Sequence, residues 1–117
     1  MRTGSVRYFQ TEFLEEVRDF FSTIAPKAAE KIIRNIDIAE LTNDPRLFKK
    51  LQGEIWEFRT KYQNLQYRLL AFWDKTTPAN TLVIATHGIV KKTDKMPEKE
   101  MARTEEIRKK YFGQKKK

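Results

Sequence analysis

The sequence has no cysteine, a single histidine, and only four glycines and four prolines in 117 residues. Without cysteine there can be no disulfide framework and no thiolate metal site. One histidine and scattered carboxylates give neither a paired-histidine motif nor a carboxylate cluster, so no metal or cofactor is expected. The glycines form no phosphate-cradling loop, and serine occurs only at Ser5 and Ser22, neither in a nucleophile elbow. No apolar run is long enough to span a bilayer. The segment Met1–Ser5 lacks an apolar core of the kind a secretion signal needs. A cytoplasmic chain with no membrane association is the expectation.

Positive charge, by contrast, is abundant. There are 24 Lys and Arg against 16 Asp and Glu, a net charge of +8. A small body with that excess steers phosphate polymers and acidic partners toward itself. Hydrophobic residues make up 39% of the chain, with eight Phe and two Trp, enough for one modest core. Residues 1–113 are expected to form a single domain, and 114–117 a basic, flexible tail.

The patterning predicts an α+β fold with the order β-α-α-β-β-β-α. Val6–Phe9 reads as a strand. Thr11 is placed to cap a helix carrying Phe13, Leu14, Val17, Phe20 and Phe21 on one face. Pro26 opens a second helix striped by Ala28, Ala29, Ile32, Ile33, Ile36 and Ala39, which Asn43-Asp44-Pro45 ends. Two adjacent amphipathic helices joined by a short turn suggest an N-terminal helical hairpin. After the turn at Gln52-Gly53-Glu54, strands are expected over Ile55–Thr60, Tyr67–Trp73 and Leu82–Val90, as a meander. Pro97 starts a C-terminal helix to about Phe112. Its stripe of Met101, Ile107 and Tyr111 is thin, which predicts weak docking.

Chemistry concentrates on the hairpin. If its loop is centred between Gln63 and Asn64, Arg59 lies directly across from Arg68 on one face. Like charges so placed repel. An anion between them would relieve this, and guanidinium groups grip phosphate bidentately. Alternatively, Glu57 and other carboxylates neutralise them. His87 has the intrinsic pKa of a general base, although a lone histidine beside Gly88 can equally be a structural hydrogen-bonding residue. Gly88 within a strand suggests a bulge or a close approach of another backbone. Lys91 and Lys92 can reach the arginine face from the strand end. RNA supplies its own nucleophile, the 2′-hydroxyl, so cations and proton carriers suffice for cleavage without a metal. Arg68 and Arg59 suit the stabilising role. Lys91, Lys92, His87 and Glu57 are the candidates for proton transfer.

Several segments taken together resemble the RelE/ParE toxin superfamily, and within it the HigB-like, phage Gp49-like branch. They are Leu51-Gln52-Gly53, Ile55-Trp56-Glu57-Phe58-Arg59, Tyr67-Arg68-Leu69, and His87 through Thr93, followed by the Pro97-led helix with Ala102. The resemblance implies an N-terminal helical hairpin packed on a curved antiparallel sheet, and a type II toxin-antitoxin toxin acting as a ribosome-dependent mRNA endonuclease. Its implied partners are the ribosome, mRNA and a HigA-like helix-turn-helix antitoxin. Arg68 corresponds to the arginine that stabilises the scissile phosphate in the family, Arg59 to a basic residue on the preceding strand, and Lys91 or Lys92 to one after the last long strand. One departure is Glu57, which follows Trp56 where RelE carries a lysine after an aromatic. Other members of the superfamily poison DNA gyrase, as ParE does, and a non-catalytic antitoxin-binding module is a third reading.

Overall fold

The computed structural model describes residues 6–76, 81–91 and 95–115. Their order is β1 (Gln10–Phe13), α1 (Glu15–Phe21), α2 (Pro26–Thr42), β2 (Phe48–Gln52), β3 (Ile55–Tyr62), β4 (Leu65–Asp74), β5 (Leu82–Lys91) and α3 (Glu98–Lys115). The five strands form one sheet in the order β1-β5-β4-β3-β2, with β1 parallel to β5 and the rest antiparallel. The expected meander is its centre.

The edges differ from expectation. Val6–Phe9 is not a strand. The Tyr8 amide donates to the Glu40 carbonyl at 2.7 Å, and Arg7 pairs with Asp37 and Glu40. These bonds tie the segment to α2 and leave Phe9 fully buried in the core. The ladder begins only where the Gln10 amide meets the Thr81 carbonyl, so Thr11 is a strand residue and not a helix cap. Leu14 takes the cap position without a side-chain hydrogen bond, and Glu15 and Glu16 supply the acidic first turn. At the other edge, β2 is a strand the pattern did not reveal.

The ends of the second helix follow its sequence signals, whereas Ile33, expected on its apolar stripe, is 49% exposed. Pro26 sits at its start, and Asn43 ends it in the left-handed conformation (φ 54°), its amide bonded to the Ala39 carbonyl. Ala28, Ile32, Ile36 and Ala39 face the sheet. The core there is aromatic. Phe48 stacks on Phe58 and Trp56 with ring centroids 4.4 and 4.8 Å apart, and Phe9 lies 4.9 Å away. This cluster explains the position of β2, which delivers Phe48 to the centre of it.

The opposite face of the sheet is crossed by α3. A smaller apolar cluster of Ile55, Leu70 and Met96 lies there, with Met101 against it. The thin stripe of α3 docks through Met101 and through Tyr111, whose ring lies 5.3 Å from that of buried Phe72, with Phe112 beside it at 5.6 Å, and polar bonds add to this. Its Thr104 is fully buried, the Tyr111 hydroxyl donates to Asp74 at 2.6 Å, and the Lys115 ammonium reaches the same carboxylate at 3.0 Å. Burial pushes the Asp74 pKa up, but hydrogen bonds from the Thr76 hydroxyl and amide, with those from Tyr111 and Lys115, outweigh it and hold the pKa well below the ordinary carboxylate range. Gln114 and Lys115, expected in a flexible tail, therefore belong to the helix, while Lys116 and Lys117 lie outside the described residues.

Candidate functional site

The β3–β4 hairpin turns on two residues, Gln63 and Asn64, both with positive φ (50° and 67°). Two successive left-handed residues are the signature of the tight turn that matches strand twist. This turn fixes the register, which pairs Arg59 with Arg68 directly across the ladder. The next pair on the same face is Glu57 with Leu70, and Leu70 in turn pairs with His87.

Glu57 holds the two arginines together. Its Oε1 lies 3.3 Å from the Arg68 Nε and its Oε2 lies 3.5 Å from the Arg59 Nε. The carboxylate thus braces both guanidinium groups along their Nε edges and offsets their mutual repulsion. Arg68 is also held at its other nitrogens, by the Tyr67 carbonyl and the Gln66 side-chain oxygen. Arg68 and Glu57 are both buried, whereas the Arg59 side chain is 29% exposed. Burial raises the Glu57 pKa above that of an ordinary glutamate, against the pull of Arg68, Arg59, Lys91 and Lys49. Lys91, paired with Gln66 across the ladder, is buried on the same side. Lys92 lies outside the described residues.

His87 is set apart from this cluster. A bulge places Leu70 opposite His87 but Ala71 opposite Ala85, leaving Thr86 as the extra residue. The bulge turns His87 away from the aromatic core and under α3. There its Nδ1 lies 2.9 Å from the Thr86 hydroxyl and its Nε2 lies 3.0 Å from the Glu100 carboxylate. Both ring nitrogens are engaged. Burial lowers the pKa, partly opposed by Glu100, so the ring is neutral at pH 7. A carboxylate can only accept, so the neutral ring carries its proton on Nε2 and donates to Glu100, while the Thr86 hydroxyl lies between Nδ1 and the Leu70 carbonyl, 3.3 Å away. Gly88, next along, faces α1, where an added Cβ would fall 2.3 Å from the Phe20 ring. The close approach inferred from sequence is real, but a side chain makes it, not a backbone.

An open cleft of about 330 Å³ adjoins the arginine pair. It is lined by Arg59, Arg68, Lys61, Gln66, Lys31 and Arg46, with Asn35, Thr60 and Leu47 completing the wall. Sequence reasoning overlooked Lys31, Asn35, Arg46 and Lys61, which come from three separate stretches of chain. The available signal was Lys31 and Asn35, four residues apart and therefore on one side of α2. Among the described residues, no group of three His, Cys, Asp or Glu is placed to hold a metal ion, and no helix is long and apolar enough to cross a membrane.

This architecture, a five-stranded and mostly antiparallel sheet with three helices, is the RelE-like toxin fold. One chain of the Mycobacterium tuberculosis toxin-antitoxin complex RelBE2 is similar to it, with a TM-score of 0.52 and 20% sequence identity, covering 74% of this chain and 100% of that one. The model of the family described as phage derived protein Gp49-like matches residues 19–109, and the chain belongs to that family. Among curated protein sequences, none matches significantly.

Proposed function

We propose that this protein is the toxin of a type II toxin-antitoxin system and cleaves messenger RNA on the ribosome without a metal. The observation that carries the reading is the Arg59–Glu57–Arg68 triad, two guanidinium groups fixed on one sheet face beside an open basic cleft. The fold and family membership support it, as does the RelBE2 neighbour, itself part of a toxin-antitoxin complex.

In this reading Arg68 and Arg59 hold the scissile phosphate and stabilise the charge that develops on its oxygens. The RNA 2′-oxygen attacks phosphorus as the bond from phosphorus to the 5′-oxygen breaks. The products are a 2′,3′-cyclic phosphate and a 5′-hydroxyl. Glu57, raised in pKa and beside the phosphate site, takes the 2′ proton. Lys91 donates one to the leaving 5′-oxygen. His87, with both nitrogens engaged, is assigned to anchoring α3. The cognate antitoxin is expected to be a HigA-like helix-turn-helix protein, and the site of action cytoplasmic.

The test is cell-free translation with purified protein, mapping messenger ends by primer extension. Ribosome-dependent cuts that fall by about 10²- to 10³-fold in rate with Arg59→Ala are expected for loss of one charge-stabilising group. Intact messenger with a folded, antitoxin-binding protein would reject the nuclease reading and favour a gyrase target or a purely antitoxin-binding role.

A further inference from the structure

The basic cleft extends well past the arginine pair, and the triad chemistry leaves that part without a role. Strand β2 stops covering β3 at Arg59, whose amide donates to the Leu47 carbonyl at 2.8 Å. Beyond that point the β3 edge faces α2. Lys31 Nζ donates to the Lys61 carbonyl at 2.6 Å, and Asn35 Nδ2 donates to the Thr60 hydroxyl at 3.2 Å. Arg46 closes the far side, held by Asp44 at 2.8 Å with its side chain 88% exposed.

Five of the nine lining residues are Lys or Arg, and none is Asp or Glu. Glu57 behind Arg59 and Arg68, and Asp44 beside Arg46, offset only part of these five charges, and the surplus favours an incoming polyanion. The Lys31 ammonium has three donors and spends one on the Lys61 carbonyl, so it is aimed without being saturated. Arg59 and Lys61 are alternate residues of one strand, roughly 6.7 Å apart on the same face. That step is on the scale of one nucleotide of backbone. Asn35 and Gln66 add amide groups suited to sugar hydroxyls and base edges. Leu47 is the only apolar residue in the lining, so the cleft lacks the anchor pockets with which a protein partner is usually gripped.

We infer that this cleft is a second backbone subsite, in which Lys31, Arg46 and Lys61 hold a phosphate of single-stranded RNA neighbouring the one at Arg59 and Arg68. The inference rests on the RNA reading above and extends it, making the substrate a strand gripped over at least two consecutive phosphates. The subsite supplies hold and direction, and chemistry stays at the triad.

The experiment measures fluorescence anisotropy of a labelled, uncleavable 2′-deoxy hexanucleotide at several salt concentrations. It compares wild type, Lys31→Ala/Arg46→Ala, and Lys99→Ala/Lys110→Ala, which removes the same charge from exposed positions on α3. Each phosphate contact contributes about 0.7 to the slope of log affinity against log salt for single strands. The cleft variant should lose about 0.7 of slope, and the α3 variant none. Equal slopes in all three proteins, or equal losses in the two variants, would overturn the subsite. An oligoglutamate peptide that outcompetes the oligonucleotide and shows the same sensitivity would overturn it too, in favour of an acidic protein partner. Because the probe cannot be cut, the two readings fail separately. Ribosomal cleavage with unchanged slopes sinks only the subsite, while a lost slope without cleavage supports the subsite and sinks only the nuclease.

Discussion

The two faces of the sheet are built from the same alternating strands yet hold different things together. One face, under α1 and α2, is a dry aromatic cluster around Phe9, Phe48 and Phe58. The other carries Glu57, Arg68, His87 and Lys91, all buried, within and around a small apolar cluster under α3. The first face gains free energy simply by excluding water. The second spends it, because each buried charge loses hydration and recovers it only through a partner. A fold stabilised by one face can therefore carry a strained arrangement of charge on the other, which is what a phosphate site requires.

The largest effects separate the faces. Phe48→Ala should cost about 3–5 kcal/mol, since it empties the centre of the aromatic cluster. Arg68→Ala should also destabilise by about 3–5 kcal/mol, for a different reason: it leaves Glu57 buried with a weaker counter-charge. The double variant Arg68→Met/Glu57→Leu distinguishes them. Replacing the whole pair by apolar side chains should return stability to near wild type while messenger cleavage stays abolished. Denaturant midpoints and primer extension read both quantities. A double variant as unstable as the single one would mean that the ion pair stabilises the fold, and the contrast between the faces would fail.

Gly88 tests the border between them. An added methyl there meets the Phe20 ring at a distance no real Cβ tolerates, so the ring, or α1 with it, must shift. Gly88→Ala should cost about 1–3 kcal/mol, the usual range for overpacking. Phe20→Leu in the same chain should recover part of the loss. If Gly88→Ala is neutral, α1 is more loosely held than the aromatic face implies.

The residues that were legible from sequence share a feature: their position follows from neighbours close in the chain. The Gln63-Asn64 turn alone sets the Arg59–Arg68 pairing, and Pro26 with Asn43 bounds α2. What stayed hidden depends on distant partners. Strand β2 carries Lys49, Lys50 and Gln52 outward, so only Phe48 and Leu51 hint at a buried side, and five residues cannot establish a period. The Val6–Phe9 run has strand composition but is captured by Glu40 and Asp37 of α2. Docking of α3 draws on Asp74, a lone carboxylate whose partners Tyr111 and Lys115 are distant in the chain. The basic cleft joins Lys31, Arg46 and Lys61 from an α-helix, a loop and a strand, with no local motif to announce it.

The smallest effect probes the buried histidine, which anchors α3 through Glu100. Burial lowers the His87 pKa below 6.5, while in the unfolded chain the ring titrates normally. As pH falls through 6.5 the unfolded state binds a proton that the folded state resists. Stability contributed by the neutral ring is thus present above that pH and declines below it. Glu57 works with the opposite sign, because its raised pKa lets the folded protein take up a proton first as the solution is acidified. Comparing wild type with His87→Gln cancels the Glu57 contribution. Between pH 7.5 and 5.5 the denaturant midpoint of wild type should fall more steeply than that of His87→Gln, with cleavage at pH 7.5 retained in the variant. A variant that keeps its stability but loses cleavage outright would move His87 from anchoring α3 into the chemistry. The charged face would then hold two catalytic centres instead of one braced triad beside a structural hydrogen-bond chain.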